Sequence, residues 1–281
     1  MLFADKRFVI YDGAMGTMLQ KYSLKPGERP DILSITAPDA VESVHRMYVE
    51  AGSDIVCANT FGANADTLSR TGYSPEAIIT ASVGIAKRAC GGAAMVALDI
   101  GPTGQLLEPM GDLEVFRAYE LFMEQAIAGE RAGADLAAIE TMSDLEELKT
   151  AILAVVENTR LPVLATMTFD KSGRTYTGCT PESFAETAER LGAVAVGLNC
   201  SLGPSEMYAT AERIAKSTSL PLIVKPNAGL PDGVTGLYSI GPAEFARQMV
   251  PFAEIGAKIV GGCCGTTPEY IRELKKAFRE M

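Results

Sequence analysis

The sequence predicts an α/β protein with the (β/α)8 architecture of a TIM barrel, and three features indicate it. Short apolar runs alternate along the chain with longer segments of helical period, which is typical of parallel β/α units. There are eight such runs, and the 281 residues are close to the usual size of this barrel, about 250 residues. A similar phrase also joins several helices to the next strand, which indicates one structural unit used repeatedly.

The predicted strands are apolar runs bounded by turn-forming residues. They cover 8–13, 54–61, 94–101, 135–142, 162–169, 193–201, 221–229 and 258–265. Amphipathic stretches between them, such as 114–132 and 144–157, predict helices, and a last helix over 268–280 follows the eighth strand.

The phrases that join helix to strand are AGSDIV, AGADLA, LGAVAV and IGAKIV. Each contains a glycine, and these are Gly52, Gly133, Gly192 and Gly256. Because glycine enters the left-handed conformation without steric cost, it commonly ends a helix. We therefore expect all four to have positive φ angles.

The competing fold is a doubly wound open sheet. That fold would carry a G-x-G-x-x-G fingerprint after an early strand, and DGAMGT at 12–17 does not supply it. There is no linker rich in proline or serine and no break in composition. The sequence therefore predicts one barrel domain over 1–281.

The charge of the chain excludes two classes of partner. Its formal net charge is −10, whereas nucleic acids and anionic membrane surfaces attract a basic face. The first residues, MLFADKRF, do not form a secretory leader, and there is no apolar run of about 18 residues that would span a membrane. Six cysteines are too few for a disulfide framework in a chain of this length. We expect a cytoplasmic protein.

Two predicted connections are longer than usual and hold candidate functional segments. One runs from Ala14 to Pro38 and the other from Asp170 to Thr180. Each follows a strand, so each is expected at the carboxyl-terminal mouth of the barrel, where this fold places its active sites. We expect the first of them to close over a substrate.

Polar side chains collect at the carboxyl ends of the predicted strands. They are Asp12, Asn59, Thr60, Asp99, Glu140, Thr166, Thr168, Asn199, Cys200, Lys225, Asn227, Cys263 and Cys264. Three of these are thiols, from strands six and eight, and three thiolates with an open fourth position are a ligand set for catalytic zinc. Neighbouring cysteines can share one ion only where the strand has become irregular, and the glycines around them permit this.

The six cysteines can have roles other than metal binding. A free cysteine is often a small buried hydrophobe, and we favour that interpretation for Cys57 and Cys90. Cys179, in the long fifth connection, stays open. A redox disulfide between the adjacent Cys263 and Cys264 would be strained.

Four further residues have possible roles outside a substrate site. Asp12 could be a turn former and Glu140 a charge at a helix N-terminus. Lys225 could be a Schiff-base lysine, but this role would leave the three thiols unexplained. His45, inside a helix, is expected at the surface.

Several motifs carry a resemblance to a known family. NCSLGP at 199–204, PNAGLPDG at 226–233 and VGGCCGTTPEYI at 260–271, with DGAMGT and IETMSD, resemble the homocysteine S-methyltransferase family. The resemblance covers essentially the whole chain and is strongest to the homocysteine-binding module of the cobalamin-dependent branch. The betaine-dependent branch shares the cysteines but matches the phrases within 199–233 less well.

The resemblance implies a role for each matching residue. Cys200, Cys263 and Cys264 match the zinc thiolates of the family, and the sulfur of homocysteine completes the tetrahedron. Asp12 and Glu140 match the carboxylates that hold the ammonium group of the substrate, and the backbone N–H groups of Gly13 and Ala14 resemble the donors to its carboxylate. Asn227 is similar to an asparagine that can occupy the fourth position of zinc before the substrate arrives.

General chemistry agrees with this assignment. An ordinary thiol has a pKa near 8.5 and is mostly protonated at neutral pH, whereas methyl transfer to sulfur requires the thiolate. A zinc ion deprotonates a coordinated thiol, so no general base is needed, which is consistent with a chain that has one histidine.

The methyl donor is less well defined. The corrinoid module of the family carries an Asp-x-His-x-x-Gly signature, and VHRMYVEAG around His45 lacks this spacing. The chain also ends soon after the eighth predicted helix, with no folate-binding barrel appended. We therefore expect methylcobalamin on a separate corrinoid protein. An S-methylmethionine or betaine type of donor, or a non-catalytic component that binds zinc and homocysteine, are the alternatives.

Overall fold

The computed structural model describes residues 3, 6–22, 24, 28–233, 235–279 and 281, and in them eight parallel strands form one sheet. The second to eighth strands pair in chain order, and the eighth also pairs with the first. A parallel bridge between Tyr11 and Ile55 brings the first and second strands together and completes the ring. The prediction of a (β/α)8 barrel is confirmed.

The strands are short, at two to seven residues, and two of their ladders contain a register shift. They are β1 Val9–Ile10, β2 Ile55–Cys57, β3 Met95–Ile100, β4 Leu136–Met142, β5 Val163–Met167, β6 Ala195–Asn199, β7 Leu222–Lys225 and β8 Ala257–Val260. The helices are α1 Met15–Gln20, α2 Leu33–Thr36, α3 Pro38–Ala51, α4 Ala65–Leu68, α5 Pro75–Cys90, α6 Val115–Ala132, α7 Leu145–Asn158, α8 Pro181–Arg190, α9 Pro204–Lys216, α10 Pro242–Met249 and α11 Pro268–Arg279. Short 3-10 turns at Pro30–Ile32 and Val250–Ile255 precede α2 and follow α10.

Local sequence explains the helix ends. Six of the outer helices begin with proline. The N–H of a first helical residue has no partner within the helix, so proline, which has no N–H, loses nothing there. The four glycines of the repeated phrase have φ angles of 105°, 92°, 97° and 90°, as expected for left-handed residues after a helix. This part of the prediction is confirmed. Residue 280, at the end of the predicted last helix, lies outside the described residues.

The barrel interior changes from apolar to charged along its axis. Its apolar part includes Val9, Tyr11, Ile55, Cys57, Ala97, Leu136, Ala138, Leu164, Ala195, Ile223 and Ile259. Side chains two apart on a strand share a face, so Asp99, Glu140 and Lys225 continue the inward rows of Ala97, Ala138 and Ile223 toward the mouth. The inward alternation therefore places a buried charged layer directly under the mouth.

Three connections besides the two predicted ones are long. They cover 58–74, 101–114 and 226–241, and all follow strands. The predicted strands extend into them over 58–61, 101 and 226–229, where the chain has already left the ladder. The mouth is therefore built from more loop than we expected.

His45 on α3 was predicted at the surface, and this prediction was wrong. Its relative exposure is 0%. It lies between Val44 and Tyr48 on the buried face of the helix. Among the described helices, none combines the length and the apolar character that crossing a bilayer requires.

Candidate active site

The carboxyl ends of the strands enclose a cavity of about 550 Å³. Seven of the eight predicted site residues line it, namely Asp12, Gly13, Ala14, Glu140, Cys200, Cys263 and Cys264. Parts of the long first connection, 15–17 and 28–31, line it as well. Residues 23 and 25–27 of that connection lie outside the described residues, so its predicted closure over a substrate stays a prediction.

Three thiols form a cluster on the wall of this cavity. The sulfur atoms of Cys200, Cys263 and Cys264 all lie within 4.8 Å of one another, and those of Cys200 and Cys264 are 3.9 Å apart. β6 ends one residue before Cys200, and β8 ends at Val260, so all three follow the regular strands. Cys200 has a φ angle of 64°, a strained conformation for a residue with a side chain.

Backbone hydrogen bonds from the end of β7 hold the cluster together. The Cys200 N–H donates to the Lys225 oxygen over 3.1 Å, and the Cys263 N–H donates to the Pro226 oxygen over 2.8 Å. The Ala228 N–H donates to the Cys264 oxygen over 3.0 Å. One segment therefore fixes the thiols of both neighbouring strands.

Hydrogen bonds among the sulfurs distribute their protons unequally. Contacts with the Cys263 and Cys264 sulfurs lower the pKa of Cys200 to about 3. The contacts with Cys200 raise the pKa of both Cys263 and Cys264, the latter to about 11. The Asn199 side-chain amide adds a donor 3.9 Å from the Cys263 sulfur. The cluster thus readily carries negative charge.

The dimensions of the cluster suit a tetrahedral metal ion. Zinc–sulfur bonds of about 2.3 Å place two thiolates of a tetrahedron about 3.8 Å apart, close to the 3.9 Å between Cys200 and Cys264. Asn227, whose amide bonds to Cys200, has a buried side-chain oxygen with no hydrogen-bond partner within the described chain. The residues present therefore fit a metal with three sulfur ligands and one exchangeable position.

A second group of potential ligands consists of Cys57, Asp99 and Glu140. Here the ammonium group of Lys225 forms a buried ion pair with Glu140 and lies 4.0 Å from the centre of the Tyr11 ring. Burial alone would lower the pKa of Lys225, but Glu140 and the neighbouring acids outweigh it and raise the pKa. Since a cation already occupies this group, it suits a metal ion poorly.

Asp12 lies beside this ion pair. Its carboxylate accepts the Cys57 N–H over 2.8 Å, and its exposure is 2%. Burial raises its pKa to about 7, although Lys225 and the Cys57 N–H oppose the shift. Asp12 therefore lies close to its protonation midpoint at neutral pH.

The turn after β1 packs tightly on the connection after β8. A Cβ on Gly13 would lie 2.7 Å from the Thr266 hydroxyl, so only glycine fits without a shift. The Ala14 N–H donates to the Thr266 oxygen over 3.1 Å, and the Tyr48 hydroxyl donates to the same oxygen over 2.9 Å. Ala14 can bind a substrate carboxylate only by sharing or releasing this bond.

The sequence did not reveal every residue of the site. We considered Lys225 only as a Schiff-base lysine, and it is the partner of Glu140. Cys57 and Cys90 are buried as expected, but Cys57 also lies 3.6 Å from the Tyr11 hydroxyl. Cys179 is half-buried, and its thiol contacts the Thr180 oxygen at 3.3 Å. Period-two alternation along β7 was the signal that could have placed Lys225 inside the barrel.

The fold and the position of this cavity are those of TIM-barrel enzymes. Comparison with known proteins narrows the class. The family model for homocysteine S-methyltransferase matches residues 9–278. The chain therefore belongs to the homocysteine S-methyltransferase family.

Individual relatives agree with the family. Methionine synthase of Mycobacterium leprae is 35% identical over 97% of this chain, and that of Mycobacterium tuberculosis is 35% identical over 99%. The chain spans about a quarter of their length, 24% and 25%. In fold, the homocysteine methyltransferase MmuM from Escherichia coli superposes with a TM-score of 0.85 in its oxidised form, at 23% identity over 97% of this chain and 96% of that one. The metallated form of the same protein superposes with a TM-score of 0.84, at 23% identity over 98% of both chains.

Proposed function

We propose that this barrel is a zinc-dependent methyltransferase that methylates the sulfur of homocysteine and so forms methionine. The observation that carries the proposal is the cluster of three thiols at the wall of a cavity that also holds buried carboxylates. Membership of the homocysteine S-methyltransferase family supports it. So do relatives that are themselves methionine synthases.

Cys200, Cys263 and Cys264 would hold the zinc, with the Asn227 oxygen as a fourth donor that a substrate replaces. When bound, the ion lowers the pKa of a coordinated thiol so that the sulfur becomes nucleophilic at neutral pH. The side chains of Asp12 and Glu140 bind the ammonium group of the amino acid, and the turn at Gly13 and Ala14 lies where its carboxylate is expected. These contacts orient the substrate sulfur toward the thiol cluster and leave the methyl donor to enter from solvent.

We propose methylcobalamin on a separate corrinoid protein as the donor. Support comes from exposed apolar side chains on the loops and helix start around the mouth, which we name the mouth rim. The mouth rim consists of Phe61, Leu106, Met110, Phe116, Tyr176, Leu230 and Leu237, with exposures from 38% to 80%. Apolar side chains gathered around an active site are typical of a surface that another protein covers. A small donor such as S-methylmethionine or betaine would not require them.

A donor panel tests the function. Zinc-loaded protein and homocysteine are mixed separately with a methylated corrinoid protein, free methylcobalamin, S-methylmethionine and betaine, and methionine is measured by mass spectrometry. We expect turnover with the corrinoid protein. Turnover with a small donor alone would contradict the donor assignment, and binding of homocysteine without methionine from any donor would indicate a non-catalytic component.

The metal assignment has its own test. Wild-type protein should hold about one zinc per chain, and Cys263→Ser should lose most of it, because two thiolates and a hydroxyl bind zinc far more weakly. Cys90→Ser, a buried cysteine outside the cluster, is the matched control and should keep its zinc. Metal content is measured by mass spectrometry, and equal zinc in both variants would remove Cys263 from the site.

A further inference from the structure

Asp99 is a buried carboxylate that the proposed function does not yet use. It lies near the end of β3, lines the cavity, and has an exposure of 8%. Thr60 holds the backbone of Asp99. The Asp99 N–H donates to the Thr60 hydroxyl over 3.0 Å, and that hydroxyl donates to the backbone carbonyl oxygen of Asp99 over 2.8 Å. Within the described chain, its side-chain Oδ1 has no hydrogen-bond partner. A buried acceptor without a donor is costly, so it calls for an explanation.

The charges around Asp99 do not balance. Asp12, Asp99 and Glu140 are exposed by 2%, 8% and 9%. Lys225 is the only lysine or arginine buried among the described residues, and it pairs with Glu140. Burial first, and then the charge of Glu140, raise the pKa of Asp99. Because one buried cation serves three acids, a further singly charged cation would be compensated here, and its binding would favour the ionised form of Asp99.

The spacing of the acids fits an organic ammonium group. The Asp99 and Glu140 oxygens and the Cys57 sulfur lie within 4.8 Å of one another. An ammonium nitrogen that donates to two oxygens at 2.8 Å in tetrahedral directions holds them about 4.6 Å apart. A divalent ion at the same point would bring two positive charges next to the Lys225 ammonium group, which contacts the same carboxylate, whereas an organic ammonium group brings one.

We propose that Asp99 is a substrate-binding residue whose free oxygen accepts a hydrogen bond from the ammonium group of the thiol substrate. Together with Asp12 and Glu140 it forms a site of three carboxylates that selects thiols carrying a primary ammonium group. Thiols without this group would reach the metal but leave Asp99 without a partner. The inference rests on the proposed function and specifies the recognition of its substrate.

The test separates the ammonium group from the sulfur. Homocysteine is compared with 4-mercaptobutanoate, which has the same thiol and carboxylate but no amino group, by calorimetric titration of zinc-loaded protein. Asp99→Asn keeps the shape of the side chain and removes its charge. We expect it to raise the Kd for homocysteine at least tenfold, about 1.4 kcal/mol, and to change the Kd for 4-mercaptobutanoate less than threefold. Equal changes for both thiols, or none, would overturn the proposal.

The controls separate this inference from the proposed function. Asp135→Asn makes the same substitution at the other end of the barrel, where Asp135 accepts from Val96 N–H, and it should change neither Kd. Failure of wild-type protein to bind either thiol would overturn the proposed function. If wild-type protein binds both thiols with Kd values that differ less than tenfold, only the ammonium site is overturned. Asp99→Ser serves as a second variant, with zinc content and circular dichroism as the measures of folding.

Discussion

Lys225 is the cation on which the charge of the barrel interior depends. It lies among three carboxylates, and its ammonium group contacts both Glu140 and the face of Tyr11. A buried ion pair adds little net stability compared with apolar residues, but the loss of one partner leaves a buried charge uncompensated. Lys225 therefore both stabilises the fold and sets the charge that a substrate ammonium group encounters.

Lys225→Met should lower the free energy of unfolding by about 3 kcal/mol, because three buried acids then have no cation. Urea denaturation at pH 7.5 measures this. Lys149→Met, which breaks an exposed pair with Glu146, is the control and should cost about 0.5 kcal/mol or less. Adding Glu140→Leu to Lys225→Met should recover part of the loss. Similar costs for the two lysine variants would show that Lys225 is not needed to balance the buried charge.

At the scale of single elements, the connection between β8 and α11 shapes the thiol cluster. Gly265 follows the paired cysteines with a φ angle of 81°, and a Cβ there would lie 2.3 Å from the Tyr238 ring. Tyr238 in turn hydrogen-bonds to Cys264, and burial together with that sulfur raises the pKa of the tyrosine to about 12. The glycine thus permits both the turn and the tyrosine that packs beside the thiol.

Gly265→Ala should cost about 3 kcal/mol of stability, since left-handed strain adds to displacement of a packed ring. Zinc retention should fall as well, because Tyr238 packs against Cys264. Gly236→Ala is the matched control, with a φ angle of 68° but open space around its Cβ, and it should cost about 1 kcal/mol. Denaturation and metal analysis of both variants check this. Equal losses would mean that backbone strain alone explains the effect.

Helix α3 carries a buried histidine that makes its stability depend on pH. Neither ring nitrogen of His45 has a hydrogen-bond partner within the described chain. Burial lowers its pKa to about 4 from 6.5. The unfolded chain therefore binds this proton at a higher pH than the folded one, so stability is lost as the pH falls from 6.5 toward 4.

His45→Leu should remove this dependence. Relative to the variant, the wild type should lose about 3 kcal/mol between pH 7.5 and pH 4. Urea denaturation of both proteins across this range measures the difference. Asp12 changes stability in the opposite direction, because its raised pKa gives the folded state extra protons below pH 7. Comparing the wild type with His45→Leu cancels this contribution. Parallel curves for the two proteins would contradict a buried neutral histidine.

At the scale of the whole molecule, repetition made the fold predictable. Eight apolar runs recur along the chain, and so does the glycine that ends several helices. Each apolar run favours a strand by its own composition, and each glycine favours the left-handed conformation after a helix. The cysteines of the cluster were also predictable, because parallel strands in one barrel bring their carboxyl ends together. Predicted strand lengths were less accurate, since the apolar pattern runs past the end of the ladder, as at 58–61, where the chain already bends and turns.

Contacts between distant segments were harder to predict. Glu140 and Lys225 are 85 residues apart, and no local pattern links them. His45 is a different case, because it lies four residues after Val41 and three before Tyr48, on the apolar stripe of α3. Helical spacing would have placed it inside, had its polarity not been taken as evidence of exposure.

The mouth rim provides a test of how the whole molecule meets its methyl donor. Phe116 follows β3 and Leu237 follows β7, and their exposures are 69% and 71%. If a corrinoid protein covers the mouth, both side chains lose contact with water on docking. Phe116→Ser combined with Leu237→Ser should then lower kcat/KM for that donor at least tenfold, because burial of each is worth about 1.5 kcal/mol or more.

The Kd for homocysteine should change less than twofold, because neither side chain lines the cavity. Val156→Ser is the control, since this residue is 43% exposed near the end of α7, away from the mouth, and it should have no effect. Rates are measured with a methylated corrinoid protein and with free methylcobalamin. A loss confined to the protein donor supports docking on the mouth rim, because free methylcobalamin requires no protein surface. Equal losses with both donors, or none, would contradict it.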